Sequence, residues 1–404
     1  MKKILILQYS AQIGGASISV LENAICLKED GYDVKIVFYQ KGPLISIAID
    51  LGVDSIYIPI KSIFFYGSHV KLKISMVIKF FIYFPFSYLK IKNIIEFEKP
   101  EIILLNTSIH LTSAIAAKNS GVSVVWYIRE SLGENKFFRL WHSNIIKKYS
   151  DQIIVVSNYL KKYFPEQDNL KTVYNSIDLK KYSVNQDYYN DKIRNKYNIG
   201  KNVFLICMIG SVQKVKGHFL LINLAKELKK INLDFHFLLI GAKSVKNNTK
   251  TDYVHGLKIF IKNIINYPID NADRMQRIID RKNLSKYFSF TSGKYEIHEI
   301  ISATDIVAFL SMKPEGFGRP LIEGMAMGKP ILAINIGPTK EIIGNDSGIL
   351  IDDFDAKKIA KILLNLSRNN DLYSYYASNG EKRVKDFFQT KYLYKKFLRI
   401  IKKV

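Results

Sequence analysis

The chain has 404 residues, which predicts two or three domains at roughly 100–200 residues per domain. Its hydrophobic fraction of 48% and charged fraction of 24% exclude a disordered, collagenous or coiled-coil chain. The chain has two cysteines, Cys26 and Cys207, which excludes a disulfide framework and a four-cysteine zinc site and indicates a reducing compartment. The net charge of +24 reflects either codon usage rich in Lys, Ile and Asn or an anionic partner, such as a phosphorylated substrate, a nucleic acid or an anionic membrane surface.

Short apolar runs rich in Ile and Val alternate with helix-length amphipathic stretches. Consecutive apolar positions are typical of strands buried on both faces of a parallel sheet, and the alternation predicts right-handed βαβ units in a doubly wound α/β sheet. A helix predicted over Ser17–Asp30 follows the first strand and ends at Gly31. The strands predicted in the first half are Ile4–Leu7, Val34–Phe38, Ile56–Ile60, Ile102–Leu105, Val122–Ile128 and Ile153–Val156.

The alternation pauses in a polar stretch around residues 178–200 and then starts again. The pause predicts two Rossmann-like domains with a boundary near residues 180–200. The polar stretch Lys243–Asn283 predicts one or two surface helices, and the basic, amphipathic segment Lys391–Val404 predicts a final helix. The strands predicted in the second half are Val203–Ile209, Phe235–Ile240, Tyr287–Phe290, Ile306–Leu310, Pro330–Ile334 and Gly348–Ile351.

Residues 61–95 contain six lysines, many aromatic residues and no acidic residue. This composition is typical of an interfacial membrane helix, and the alternative is a domain helix that packs its apolar face on the sheet. The apolar window Ile74–Leu89 is interrupted by Lys79 and Pro85 and falls short of about 20 residues, so no membrane-spanning helix is predicted. No secretory signal is visible either. We therefore expect a cytoplasmic protein, peripheral at the inner face of the cell membrane if the helix is interfacial. The lysines are Lys61, Lys71, Lys73, Lys79, Lys90 and Lys92, and the aromatic residues are Phe64, Phe65, Tyr66, Phe80, Phe81, Tyr83, Phe84 and Phe86.

Two glycine loops follow predicted strands. Gly14 and Gly15 precede the first helix, where close backbone approach and the helix N-terminus suit an anion, but the third glycine of the dinucleotide fingerprint is missing and a plain tight turn is the alternative. The second loop runs from Gly210 to Gly217. Its Lys216 precedes a helix predicted from about His218, which suits a phosphate; the alternative is a solvated lysine beside a helix cap.

The segment Glu315–Glu323, with the sequence EGFGRPLIE, follows the strand Ile306–Leu310. Pro320 suits the first turn of a helix, which places Glu315 on the loop and Glu323 on that first turn. The glycines beside Phe317 can turn backbone amides into an anion-binding nest. Two carboxylates and a nest at the carboxyl edge of a sheet predict a site for a polyhydroxylated, phosphorylated ligand. The alternative is that Glu323 complements the helix dipole and Glu315 is a loop charge.

No metal site is predicted. Asp353 and Asp355 follow a strand and begin a helix, so capping is the better interpretation of this carboxylate pair. The seven histidines show no metal-ligand spacing. His218 is interpreted as a structural or capping residue.

Over nearly its full length the chain resembles the retaining glycosyltransferases of the GT-B fold, family 4. The resemblance implies two Rossmann-like domains facing a central cleft: an N-terminal acceptor-binding domain over residues 1–185 and a C-terminal nucleotide-sugar-binding domain over 186–385. It further implies that a final helix over 386–404 packs back on the first domain. The matching segments are IGGAS after the first strand, VYNSID at 173–178, IGSVQKVKGH at 209–218, FLLIGA at 237–242 and ATDIVAFLSMKPEGFGRPLIEGMAMGKPILAINIGPTKEII at 303–343.

The same resemblance implies roles for individual residues. Glu323 resembles the glutamate that holds the donor ribose, Glu315 the one placed against the donor sugar as a catalytic group, and Lys216 the lysine that binds donor phosphate. The remaining donor-binding candidates are Gly14 and Gly15 in the first loop and the backbone of Gly316, Phe317, Gly318 and Arg319.

Two departures from the family pattern concern the site. Ser211 stands where the family often has an arginine, and Arg319 is a candidate to replace that diphosphate contact. Arg129 and Glu130 occupy the loop in which many members have a histidine. For these two residues we expect a catalytic role on the acceptor side or against the sugar.

The resemblance implies transfer of a sugar from a nucleotide-diphosphate sugar to a polysaccharide-precursor or lipid-linked glycan acceptor, with retention of configuration and without cofactor or metal. Lys216 and the nest near Gly318 would stabilise the charge that grows on the leaving oxygen. Two other interpretations stay open: another GT-B enzyme such as a nucleotide-sugar epimerase, and a polyanion-binding protein on a degenerate enzyme fold. Because no Lys/Arg block is long enough for a nucleic-acid tail, no nucleic-acid partner is expected.

Overall fold

The structure is a computed structural model that describes residues 2–62, 74–183, 186–241, 271–291 and 297–404. Most of the polar stretch predicted over Lys243–Asn283 lies outside these residues. The part of the basic, aromatic stretch that lies outside them contains Phe64, Phe65, Tyr66, Lys71 and Lys73.

The chain divides into two compact units. The sequence places the domain boundary after residue 185, whereas the first unit breaks off after Ile177. The sequence also assigns Pro314–Arg319 to the second domain, whereas this segment groups with the first unit. Unit 1 comprises Met1–Ile177, Pro314–Arg319 and Phe388–Val404, and unit 2 comprises Asp178–Lys313 and Pro320–Phe387.

Among the described residues of unit 1, seven parallel strands form one sheet. They are β1 Lys3–Gln8, β2 Asp33–Phe38, β3 Asp54–Tyr57, β4 Ile102–Asn106, β5 Ser123–Ile128, β6 Gln152–Val155 and β7 Leu170–Thr172. Their order is β3-β2-β1-β4-β5-β6-β7, with Ile4 paired to Val34 on one side and Ile102 on the other. The six strands expected from the apolar runs are all present. Strand β7 was not predicted because it is only three residues long and has Lys171 at its centre.

The described helices of the first part of the chain are α1 Gly15–Glu29, α2 Leu44–Asp50, α3 Ile74–Glu98, α4 Leu111–Asn119, α5 Lys136–Lys148 and α6 Asn158–Lys161. Helix α1 ends as predicted: Gly31 has a φ of +84°, and the backbone N–H of Tyr32 donates to the carbonyl of Leu27. A glycine is favoured there because side chains with a Cβ rarely adopt this conformation.

Helix α3 corrects the expectation that Lys79 and Pro85 interrupt the apolar window. It runs unbroken for 25 residues with Pro85 inside it. Pro85 is exposed, so the loss of one helical hydrogen bond occurs on the side where water can bind the freed carbonyl. In the described part of the chain, α3 is the one helix that is long and apolar enough to cross a membrane, judged by length and composition alone; 17% of its most apolar window is buried.

The described part of unit 2 contains a parallel sheet of six strands. They are β8 Phe204–Ile209, β9 Phe235–Ile240, β10 Phe288–Thr291, β11 Ile306–Phe309, β12 Ile331–Ile334 and β13 Ile349–Ile351, in the order β10-β9-β8-β11-β12-β13. All six were predicted, and the order is that of a doubly wound sheet whose direction reverses between β8 and β11. Ligands of such sheets bind at the carboxyl ends of the strands beside this reversal.

The helices that follow in the described chain are α7 Gln186–Lys196, α8 Leu220–Lys230, α9 Asn271–Arg281, α10 Ile297–Ser302, α11 Arg319–Ala326, α12 Thr339–Ile343, α13 Ala356–Arg368 and α14 Asn370–Phe387. The carboxylate of Asp355 accepts hydrogen bonds from the backbone N–H groups of Lys357 and Lys358 at the start of α13. This confirms that Asp355 is a capping residue.

The final helix, α15 Thr390–Ile401, belongs to unit 1. The backbone N–H of Ile177 donates to the carbonyl of Phe388 over 2.8 Å, which ties the incoming chain to the end of the first segment. Phe397 is fully buried and stacks on Tyr127 of β5, with 5.9 Å between ring centroids. The hydroxyl of Tyr394 hydrogen bonds to Asp30 at the end of α1. The return of the final helix to the first domain is thus observed.

Candidate functional site

The loop after β8 is fixed to the end of the neighbouring strand β11. Gly217 has a φ of +85°, and a Cβ at this position would lie only 2.1 Å from the carbonyl oxygen of Leu310. The backbone N–H of Met312 donates to the carbonyl of Val215 over 2.7 Å. The loop therefore needs glycine here, and Lys216 is held at the point where the order of the sheet reverses.

Lys216 folds back over the first glycine of the loop, so that a Cβ on Gly210 would lie 3.0 Å from Nζ. Among the residues that the structure describes, no carboxylate forms an ion pair with Lys216.

His218 is buried, and burial together with the nearby charge of Lys216 lowers its pKa to about 4. A neutral, buried imidazole fits the predicted structural role. Ser211 is exposed, and its hydroxyl accepts a hydrogen bond from the side chain of Gln213.

Helix α11 lies directly on the sheet of unit 2 and carries Glu323. A Cβ on Gly324 would meet Ile331 at 2.6 Å and Val307 at 2.8 Å, so the helix approaches β11 and β12 closely at this glycine. Glu323 is the fifth residue of the helix, just after the first turn on which it was predicted, and only 5% of it is exposed. Gly318, just before the helix, has a φ of +96°. This conformation is compatible with the backbone nest expected at the helix N-terminus.

The segment Pro314–Arg319 is bound closely to the loops at the carboxyl edge of the sheet in unit 1. The Ser131 hydroxyl donates to the carbonyl of Glu315 over 3.1 Å, and the Ser157 hydroxyl donates to the carbonyl of Gly316 over 2.7 Å. A Cβ on Gly316 would lie 2.0 Å from the carbonyl oxygen of Arg129. Two backbones thus touch at Gly316, and only glycine fits between them.

Arg319 is engaged by α1. Its guanidinium forms a bidentate ion pair with the carboxylate of Glu22, with N–O distances of 2.7 and 2.8 Å, and it donates to the hydroxyl of Ser19. Its aliphatic stem lies 3.7 Å from where a Cβ of Gly15 would be. The sequence suggests that Arg319 replaces the arginine that is missing at Ser211. Its guanidinium would have to leave Glu22 to contact a diphosphate, and that role stays a prediction.

Arg129 is the centre of a buried polar network across the edge of the sheet in unit 1. Its Nε donates to the side-chain oxygen of Asn106, Nη1 donates to that of Asn175 over 2.6 Å, and the guanidinium lies over the Tyr127 ring at 3.9 Å. Asn106 in turn donates to Gln8 at the end of β1. Within the described residues Nη2 has no hydrogen-bond partner, and burial lowers the pKa of the guanidinium. Within the described residues no carboxylate forms an ion pair with Arg129, although the charges of Glu22 and Glu130 favour its charged form. A buried cation with an unpaired N–H group is costly, so an anionic or oxygen-rich ligand at Nη2 would stabilise it.

Glu130 is bound to the loop after β4. Its carboxylate accepts hydrogen bonds from both the backbone N–H and the hydroxyl of Ser108, each at 2.6 Å, and from the backbone N–H of Arg129 at 3.2 Å. Burial raises its pKa, while these hydrogen bonds act in the opposite direction. The neighbouring residue Thr107 has a φ of +89°, a strained conformation for a β-branched residue. Glu130 therefore holds a strained turn at the carboxyl end of β4.

The structure brings together several residues that the sequence suggested separately. Arg129, Glu130, Gly316 and Arg319 are connected in unit 1 by the contacts just described, with Gly15 beside them. Ser211, Lys216 and Glu323 lie in unit 2. The glycine pair itself is not strained: Gly14 is extended, and a Cβ on it would meet no atom within 4 Å.

Sequence reasoning missed the partners that fix these groups. Glu22 looks like an ordinary polar residue of α1, and Asn106, Asn175, Ser131 and Ser157 are single polar residues after strands. The only available signal was their position at the carboxyl ends of predicted strands, where ligand-facing residues gather. In the described ranges no group of three or more His, Cys, Asp or Glu residues is arranged to hold a metal ion.

Comparison with known proteins agrees with this architecture. A family model described as "Glycosyltransferase Family 4" matches residues 13–181, and a second, described as "Glycosyl transferases group 1", matches residues 190–383. The chain belongs to the group 1 glycosyl transferases. The two family matches fall on the two halves of the chain and leave only a short gap, at residues 182–189, between them.

Individual relatives of this glycosyl transferase are distant. An uncharacterised glycosyltransferase of Methanocaldococcus jannaschii is 24% identical over 290 residues, which are 68% of this chain and 65% of that protein. The capsular polysaccharide biosynthesis glycosyltransferase CapM of Staphylococcus aureus is 23% identical over 54% of this chain and 50% of its own length. The chain thus spans less than two thirds of the length of these curated relatives. Among solved structures, Anabaena HepE in complex with UDP and glucose has a TM-score of 0.78 at 18% identity, with both chains fully covered, and this likeness establishes the GT-B fold.

Proposed function

We propose that this glycosyl transferase moves a sugar from a nucleotide-diphosphate sugar to a glycan acceptor with retention of anomeric configuration. The observation that carries the proposal is Lys216, a cation with no carboxylate partner among the described residues, on a loop whose backbone is fixed where the sheet of unit 2 reverses. Diphosphate binds well at such a position, because backbone N–H groups and a lysine both face it. Glu323 is buried in α11, the helix that follows the neighbouring strand β11. Its carboxylate would bind the hydroxyls of the ribose.

The chemistry requires stabilisation of a leaving group. When the bond from the sugar to the diphosphate oxygen breaks, the sugar becomes oxocarbenium-like and negative charge grows on the diphosphate. Lys216 and the backbone near Gly318 would stabilise that charge, and Glu315 would face the sugar. In this mechanism a protein cation performs the task that a divalent metal performs elsewhere, and we propose that no cofactor is needed.

The acceptor belongs to the same proposal. The similarity to CapM supports a polysaccharide-precursor or lipid-linked glycan, because that relative is named for capsular polysaccharide biosynthesis. A lipid-linked acceptor would place the enzyme at the inner face of the cell membrane.

The proposal is tested by adding nucleotide sugars to the protein and measuring its melting temperature, starting with UDP-glucose because HepE is described with UDP and glucose. The correct donor at about 100 times its dissociation constant should stabilise the fold by roughly 2.7 kcal/mol. The anomeric configuration of the product, measured by NMR, should match that of the donor. Inversion would contradict retention, and conversion of donor to an epimer without acceptor would favour the epimerase interpretation. Binding of nucleic acid but of no nucleotide sugar would favour the polyanion-binding interpretation.

Arg129 is proposed to bind an oxygen of the acceptor through Nη2, and Glu130 to position it by holding the Ser108 turn. Arg129→Met should lower kcat/KM about 10- to 150-fold, the range expected for loss of a hydrogen bond to a charged group. The loss should come with a higher KM for the acceptor. Stabilisation by the donor should stay unchanged in the same variant, which also controls for folding. An unchanged acceptor KM and kcat would remove Arg129 from the site.

A further inference from the structure

Helix α3 is apolar on two opposite sides, only one of which is covered. Its inner side packs on unit 1 through the buried residues Phe80, Ser87, Ile91 and Ile95. Its outer side presents large apolar side chains that are between 52% and 80% exposed. Their positions are mostly three or four residues apart, which places them on one face of the helix. These residues form the outer face: Ile74, Ile78, Phe81, Ile82, Phe86 and Leu89.

The surroundings of the outer face are basic. Lys79, Lys90 and Lys92 are all exposed on the same helix, and Lys61 lies over the ring of Tyr83 at 5.2 Å. The first acidic residue after this stretch is Glu96, more than a turn beyond Leu89. An exposed apolar face with lysines at its margins is the composition that partitions into the interface of anionic membranes, where phenylalanine and leucine enter the acyl boundary and lysine contacts the headgroups.

A membrane-spanning orientation does not fit the packing of α3. Although α3 is long and apolar enough to cross a membrane, its inner side is buried against unit 1 through Phe80, Ile91 and Ile95. Moreover, the Ser62 hydroxyl donates to the carbonyl of Phe80 over 3.0 Å, and the backbone N–H of Ser62 donates to the hydroxyl of Ser87. These contacts fasten the inner side to unit 1, so lipid can reach only the outer side.

A second copy of the chain is a poor occupant for the outer face. A symmetric contact between two outer faces would bring the lysines of both copies together, and each copy carries a net charge of +24. The resulting repulsion opposes self-association. The same charge attracts an anionic surface.

We propose that the outer face of α3 docks on an anionic phospholipid bilayer, with the helix lying along the membrane plane. The docking requires no substrate, so it can be tested apart from the transfer activity. It would bring unit 1 to the place where a lipid-linked acceptor resides, and only this consequence rests on the proposed function.

The test is co-sedimentation with vesicles of phosphatidylcholine alone or mixed with phosphatidylglycerol. We expect binding to the mixed vesicles that weakens as salt increases, and little binding to phosphatidylcholine alone. The triple variant Phe81→Ser, Phe86→Ser, Leu89→Ser should lower the partition coefficient more than about tenfold. The matched control is Phe137→Ser, which replaces a 73% exposed phenylalanine on α5. This variant should bind the mixed vesicles as strongly as the original chain does.

Several results would overturn the proposal. They are absence of binding to the anionic vesicles at low salt, equal binding by the triple variant, and equal affinity for both vesicle types. Protein that resists extraction by alkaline carbonate would indicate a spanning helix instead. A dimer seen by light scattering that the triple variant dissociates, without vesicle binding, would assign the face to a second copy. Because the substituted side chains are exposed, an unchanged melting temperature is expected and excludes misfolding.

Discussion

Lys216→Ala should lower kcat by about 100- to 1,000-fold, the effect typical of removing one group that stabilises charge in a transition state. The cause is the loss of the cation that faces the leaving diphosphate. The melting temperature without ligand should change little, because Lys216 is only partly buried and no carboxylate of the described chain depends on it. The measurement is steady-state transfer with the donor identified by thermal stabilisation. If the reaction depends on Lys216 rather than on a metal, EDTA should leave the turnover of the original chain unchanged.

The same loop offers a matched control for this substitution. Lys214 lies two residues earlier and is exposed. Lys214→Ala removes the same charge from the protein, so kcat within about twofold of the original chain would assign the effect to position rather than to net charge. Adding Glu323→Ala to Lys216→Ala should also abolish stabilisation by the donor. A double variant that is stabilised by the donor as strongly as the original chain would contradict the proposed site.

Gly316→Ala should lower both stability and activity. An added Cβ would lie 2.0 Å from the carbonyl oxygen of Arg129 and 3.0 Å from the backbone nitrogen of Glu130, so one of two backbone segments must move. Overpacking of this kind costs about 1–3 kcal/mol, and a displacement of about 1 Å near reacting groups can lower turnover about a hundredfold. Thermal melting reports the first effect, and transfer kinetics report the second.

Gly14→Ala is the control for the stability effect of this substitution. Gly14 is extended, and no atom lies within 4 Å of an added Cβ. The melting temperature of the Gly14→Ala variant should therefore equal that of the original chain. Equal melting temperatures for Gly316→Ala and the original chain would show that the Pro314–Arg319 segment is not packed against Arg129 as described.

The sequence predicted the two sheets because buried parallel strands leave a direct signal of consecutive Ile and Val residues. It could not predict that Pro314–Arg319 packs with the first unit, because that grouping depends on contacts between residues more than 150 positions apart, such as Ser157 and Gly316. Glu22 was missed for a similar reason. An acidic residue on a helix is usually solvated, and Glu22 forms its ion pair with a residue that lies almost 300 positions away, Arg319.

The candidate site was predicted more completely in unit 2 than in unit 1. In unit 2 the chemistry lies in short continuous motifs, so that Lys216 and Glu323 are recognisable from neighbouring glycines and Pro320. In unit 1 it depends on single polar residues after different strands, and the network of Arg129, Asn106 and Asn175 exists only once the sheet has formed.

The return of α15 to unit 1 has a consequence for synthesis on the ribosome. Unit 1 receives Phe388–Val404 only after every residue of unit 2 has been translated. Until then the ring of Tyr127 lacks the stacked partner Phe397, and Ile177 lacks the backbone carbonyl of Phe388. The nascent first unit therefore lacks these two contacts until the last segment of the chain has been synthesised.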